Sequence, residues 1–162
     1  MNARVLAATF EVVLKMFGYY AKELVDLLLL IASVESELGR FTRQLGGGPA
    51  LGLFQIEPNT ANSVYDDYLK FRTELMVRVD AYRVEGSLEY NLEYNILFQI
   101  VFARIMLRRI KELIPVAHNY PNDIAYVTAL AAYWKKYWNT PNGKGKVEHA
   151  VNNYYALVRR EL

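Results

Sequence analysis

Apolar residues recur three or four positions apart along most of this chain, the spacing of one helix face buried against another. Val5 to Lys15 follows that rhythm, and Gly18 breaks it before a second helical stretch, Tyr19 to Leu38, which Gly39 is placed to end. Arg40 to Ala50 reads as a loop with three consecutive glycines at 46 to 48. Thr60 to Leu75 is predicted helical, opened by the capping chemistry of Pro58-Asn59-Thr60. The longest periodic run is Glu89 to Leu113, with Leu92, Ile96, Ile100, Ala103 and Leu107 on one face and Pro115 beyond it. After a turn at Asn119 to Asn122, Asp123 to Trp138 and Val147 to Leu157 complete the helices, separated by the polar loop Asn139 to Lys146. Strand signals are weak; at most Gly52 to Ile56 is locally extended. The pattern predicts a mainly α fold with little or no sheet, in one domain spanning residues 1–162.

Composition narrows the function. Hydrophobic residues make up 53% and charged residues 22%, which excludes disorder. A net charge of +2 is too small and too dispersed for nucleic acid. The local basic clusters are Arg104, Arg108, Arg109 and Lys111, then Lys135 and Lys136, then Lys144 and Lys146, all read as solvated faces or turns. With no cysteine, and His118 and His149 far apart, no metal site or other cofactor is expected. Glu11 and Lys15 interrupt the early apolar residues, so no signal peptide is expected. The apolar run Leu27 to Ala32 falls far short of the ~20 residues a membrane span needs, so no stable membrane insertion is expected either. Thirteen tyrosines suit partly wet surfaces, such as sugar clefts or protein interfaces, as well as a helical core. Asn142-Gly143-Lys144-Gly145-Lys146 lacks the spacing of a phosphate-binding Walker loop and reads as a cleft cap or a turn.

Candidate chemistry centres on Glu35. Leu24, Leu28 and Ile31 lie eleven, seven and four residues before it, all on its helical face. A carboxyl at the end of an apolar stripe is desolvated, which raises its pKa and keeps a proton available to a leaving oxygen. Glu35-Ser36 is followed by the glycine loop, by Gly52-Leu53-Phe54-Gln55-Ile56-Glu57-Pro58-Asn59-Thr60, and later by Ala131-Ala132-Tyr133-Trp134.

In these three segments, taken in order, the chain resembles the lysozyme-like lytic transglycosylases, the group that includes soluble lytic transglycosylases and goose-type lysozymes. Compact size and missing cysteines are most similar to the bacteriophage members. The resemblance implies a lysozyme-like helical domain with a catalytic cleft, acting on the peptidoglycan glycan strand with Glu35 as general acid and then general base. Gln55 is implied to lie near the scissile bond, Gly52 to let the backbone approach the sugar, and Tyr133 to put its hydroxyl near the Glu35 carboxyl or an N-acetyl group. Ser36, Leu53, Phe54 and Thr60 come with the same substrate-binding segment. The protein is implied to be made in the host cytoplasm and to act on the cell wall, as an endolysin or with phage tail or virion proteins as partners.

Two departures matter. The usual Ala-Tyr-Asn-x-Gly reads Ala132-Tyr133-Trp134-Lys135-Lys136 here, so the roles of that asparagine and glycine do not carry over. Glu57 stands where an apolar residue is more usual, as a surface charge or as a second carboxylate. An inverting hydrolase needs such a second carboxylate to activate water, with Asp66, Asp67 and, more weakly, Glu37 as further candidates. A third reading keeps the scaffold without turnover, as a structural or adaptor protein of a phage particle.

Overall fold

A computed structural model describes residues 1–140 and 143–162. Among the described residues eight α-helices carry the fold: α1 (Ala3–Phe17), α2 (Lys22–Glu35), α3 (Pro58–Asp67), α4 (Thr73–Asp80), α5 (Leu88–Tyr94), α6 (Ile96–Arg108), α7 (Asp123–Tyr137) and α8 (Val147–Tyr154). Short 3-10 turns lie at Leu69–Phe71 and Ala117–Asn119, and a π-helical turn, Tyr155–Arg159, extends α8. Among the described residues there is no strand, only isolated bridges pairing Arg43 with Leu51 and Leu51 with Ile56. The predicted all-α class holds.

The centre of the molecule is α2. Every residue from Leu24 to Ser33 is buried, because α1, α7 and α8 pack around it. A helix covered on all sides has little use for polar residues, and between Leu24 and Ser33 only Asp26 and Ser33 are polar: Asp26 accepts from the Tyr126 hydroxyl at 3.0 Å and Ser33 donates to the Leu30 carbonyl at 2.7 Å. By contrast α1 is one-sided, burying Ala3, Leu6, Phe10, Val13, Leu14 and Phe17 at the spacing expected of an amphipathic helix. Its ends follow capping rules: the Asn2 side chain accepts from the backbone N–H of Arg4 and Val5, and Gly18 closes it at φ 83°. The buried apolar side chains form one continuous core from Ala3 to Val158.

Helix boundaries differ from the sequence expectation at three places. The second helix stops at Glu35, not Leu38. Glu37, Leu38 and Gly39 all take positive φ (49°, 58° and 77°), and the Leu38 N–H reaches back to the Ala32 carbonyl at 2.9 Å. The expected helix Thr60 to Leu75 is instead α3, a 3-10 turn and the start of α4, with Pro58 in the first turn of α3. The long run Glu89 to Leu113 is cut at Asn95 and stops at Arg108. Asn95 leaves helical geometry (φ −95°, ψ 92°), caps α6 by accepting from the Phe98 N–H, and donates to the Tyr82 carbonyl at 2.7 Å and to Asn91 Oδ1 at 2.9 Å. Buried Asn91 in turn bonds Val84 and Ser87. The break is therefore fastened by two asparagines to the loop before α5. Asn95→Ala removes the cap and two tertiary bonds, and is expected to cost about 1–2 kcal/mol in urea unfolding.

Candidate active site

Glu35 occupies the last turn of α2, where the apolar stripe of Leu24, Leu28 and Ile31 is buried beneath it. The chain then turns sharply, so the carboxyl meets a cleft of about 550 Å³. The walls come from the glycine loop (Phe41, Gln44, Leu45 and Ala50), from Gln55 and Glu57, and from Trp138, Asn139 and Gly143 to Gly145 beyond α7. A cleft of this size admits a ligand the size of a sugar unit or two. A smaller cavity of about 270 Å³ shares Gln55, Glu57, Trp138 and Asn139 with it and adds Thr60 and Met106, so the groove continues along the start of α3.

One side chain holds the acid. The Trp134 indole N–H donates to Glu35 Oε1 at 2.8 Å. Burial pushes the Glu35 pKa up, and the indole bond, which favours the ionised form, opposes part of that rise. The net effect is a carboxyl that keeps its proton to higher pH than an ordinary glutamate. A protonated, oriented carboxyl opening on a groove can deliver a proton to a leaving oxygen.

Lys135 anchors one wall of the cleft. Its ammonium donates to Asn139 Oδ1 (2.8 Å) and to the carbonyls of Thr140 (2.9 Å) and Gly143 (2.6 Å). It is thus a loop clamp and not a solvated charge. Pro141 and Asn142 lie outside the described residues, so the expected polar loop Asn139 to Lys146 is described only in part.

Several residues expected at the substrate are placed elsewhere. Tyr133 is the main correction: its hydroxyl donates to the Glu112 carbonyl at 3.0 Å, and the ring lines a separate cavity with Leu24 and Arg104. Burial pushes that hydroxyl up to about 12. Successive residues on a helix point about 100° apart, so α7 turns Trp134 to Glu35 and Tyr133 away. Ser36 is buried and works as a turn lock, donating to the Leu53 carbonyl at 2.7 Å and accepting from the Gly39 N–H at 2.9 Å. Leu53 is buried, its N–H donating to Gln99 Oε1 at 2.6 Å. Phe54 is fully buried, with its ring 5.8 Å from Phe10 and 6.3 Å from Trp138.

Gly52 is required for a different reason than approach to a sugar. A Cβ at this position (φ 75°) would collide with the Leu92 carbonyl and the Gln99 amide. The glycine admits the turn to the α5–α6 junction. The turn itself is closed by mutual Leu51–Ile56 backbone bonds of 3.1 and 3.0 Å.

Gln55 and Glu57 do line the cleft with Glu35, and Thr60 lies on its extension. Gln55 adopts φ 49° and donates to the Gly52 carbonyl at 2.8 Å, which leaves its buried Oε1 without a protein partner. The other carboxylates considered sit differently: Glu37 pairs with Arg40 at the surface, and Asp66 and Asp67 are exposed on α3. Among the described residues no three His, Asp or Glu side chains cluster closely enough to hold a metal ion, and no helix is long and apolar enough to cross a membrane.

Sequence reasoning missed Trp134. The signal was present, since tryptophan stands where the resembled motif carries asparagine, but the motif drew attention to Tyr133. Comparison of the chain with protein families, with curated proteins and with solved structures yields no match.

Proposed function

We propose that this protein degrades peptidoglycan as a lytic transglycosylase, cleaving the β-1,4 bond between N-acetylmuramic acid and N-acetylglucosamine. The observation that carries the reading is Glu35: a desolvated carboxyl with a raised pKa, oriented by one indole, opening on a groove. In the proposed reaction Glu35 gives its proton to the glycosidic oxygen as the C–O bond breaks. The resulting carboxylate then takes the proton from the sugar's own 6-hydroxyl, whose oxygen closes on the anomeric carbon to form the anhydro ring. Proton and electron pairs balance without water, and Glu35 ends protonated as it began. Gln55 lines the same cleft, and its amide, held by the Gly52 carbonyl, supports the wall beside Glu35.

A second reading, an inverting hydrolase, is favoured by one observation: Glu57 lines the same cleft as Glu35. Product chemistry separates the two. Purified cell walls incubated with the protein are expected to release muropeptides whose mass spectra carry anhydromuramyl ends. Reducing ends would assign the hydrolase, and no release over a range of pH would remove both.

Trp134→Phe offers a test of how the acid is tuned. Losing the indole N–H withdraws the bond that stabilises the ionised form, so the Glu35 pKa rises further. The alkaline limb of the pH–rate profile is therefore expected to move to higher pH. Carbon-13 NMR titration of the Glu35 carboxyl should show the same upward movement. A downward shift or none would mean the indole does not set the acid's ionisation.

A further inference from the structure

Tyr19, just after α1, is the hub of a second constellation on the Tyr133 side of α7. The Arg108 guanidinium donates to its hydroxyl at 2.6 Å and stands 4.6 Å from its ring centre. Arg78 and Arg104 approach the same ring, at 5.3 and 5.4 Å. Arg72 lines a cavity with Tyr19, Arg78 and Arg108. Among the described residues none of these four arginines forms an ion pair with a carboxylate.

Their donors are only partly used. Arg78 donates to the Phe17 carbonyl and Arg72 to the Tyr68 carbonyl at 3.0 Å, which orients each group and leaves other N–H bonds free. The Arg104 Nε is buried and has no partner. Burial, and then the neighbouring Arg108, hold the Arg104 pKa below the usual guanidinium value. A cationic group held where water is scarce beside another cation is destabilising until a counter-charge arrives.

The space for that counter-charge exists. Cavities of about 440 and 500 Å³ lie side by side and share the Tyr19–Arg108 pair in their walls. Glu23 and Glu112 line the first and Glu74 the second, none within ion-pair distance of these arginines, which leaves the junction positive. Planar guanidinium groups match the oxygens of phosphate and carboxylate by paired hydrogen bonds. Arg108 borders both cavities, Arg104 the first, and Arg72 and Arg78 the second; together they exceed what a single carboxylate neutralises and suit a group bearing two or more charges.

We infer that the adjoining cavities on either side of the Tyr19–Arg108 pair bind a phosphate-bearing ligand, with Arg72, Arg78, Arg104 and Arg108 supplying its anion contacts. The site is separate from the Glu35 cleft and does not depend on the glycan reading.

Calorimetric titration of the full chain with sodium pyrophosphate, at ionic strength held constant with sodium chloride, tests it. One saturable site is expected. Arg72→Gln and Arg108→Gln alter exposed side chains, so both should melt like the parent by circular dichroism, and each should weaken binding at least about tenfold. Arg40→Gln, which touches neither cavity, should bind as the parent does. Sedimentation with phosphatidylglycerol vesicles identifies the source of the phosphate. Pelleting that Arg108→Gln abolishes supports the site with a lipid headgroup, and pyrophosphate binding without pelleting supports it with a soluble ligand. Absence of saturable pyrophosphate binding, equal binding by both cavity variants, or an equal loss in Arg40→Gln would overturn the assignment.

Discussion

Glu35→Gln is expected to lower muropeptide release from purified cell walls by roughly 10²- to 10⁴-fold, the usual contribution of a positioned general acid. The amide keeps the shape of the side chain and can still accept the Trp134 indole bond, but it has no proton to give. Helical circular dichroism should be unchanged. The same variant should also reveal the energetic tension at the site. Because burial raises the Glu35 pKa in the folded state, ionising it costs more in the fold than in the unfolded chain. The Glu35 contribution to the parent's stability is therefore lost as pH rises from the ordinary glutamate range through the raised value, a loss the glutamine variant does not share. The variant should melt higher than the parent at pH 8, a margin that closes as pH falls below the unfolded-chain pKa. Undiminished release would remove Glu35 as the acid, and a pH-independent stability difference would remove its desolvation.

Gly52→Ala is expected to be the most damaging single methyl group in the chain, costing about 3 kcal/mol or more in urea unfolding. Two penalties combine. The added Cβ falls on the Leu92 carbonyl and the Gln99 amide, and φ 75° is strained for an L side chain. Pushing Gln99 aside also breaks its bond to the Leu53 N–H, leaving a buried donor unpaired. Release of muropeptides should fall in proportion to the folded fraction, since Gln55 and Glu57 follow on the same turn. Stability within experimental error of the parent would mean the turn relaxes freely and does not hold that segment.

What could be read from sequence was whatever depends on local spacing. Glu35 was legible because Leu24, Leu28 and Ile31 precede it at helical intervals, and the structure buries all three. The all-α class followed from the same rhythm. What escaped depends on rotation and on partners distant in the chain. Asn95 sits inside a perfect apolar repeat, and the pull that breaks it comes from Tyr82 and Asn91. Choosing Trp134 over Tyr133 needs the orientation of α7 about its axis, which packing against α2 and α8 sets. Around Tyr19, Arg104 and Arg108 share α6 and read as part of a solvated basic face, while Arg78 on α4 and Arg72 just before it are brought to the same place only by the packing of the helices.

The ten-residue burial of α2 also constrains how the protein must be made. Its sheath includes α8, which the ribosome delivers only after α3 to α7 have emerged. Throughout that interval Leu24 to Ser33 lacks part of its cover, so chaperone capture and self-association compete with native docking. The stripe beneath Glu35 in the finished molecule is thus an adhesive surface of the nascent chain, and Val147–Tyr154 is the last helix to cover it.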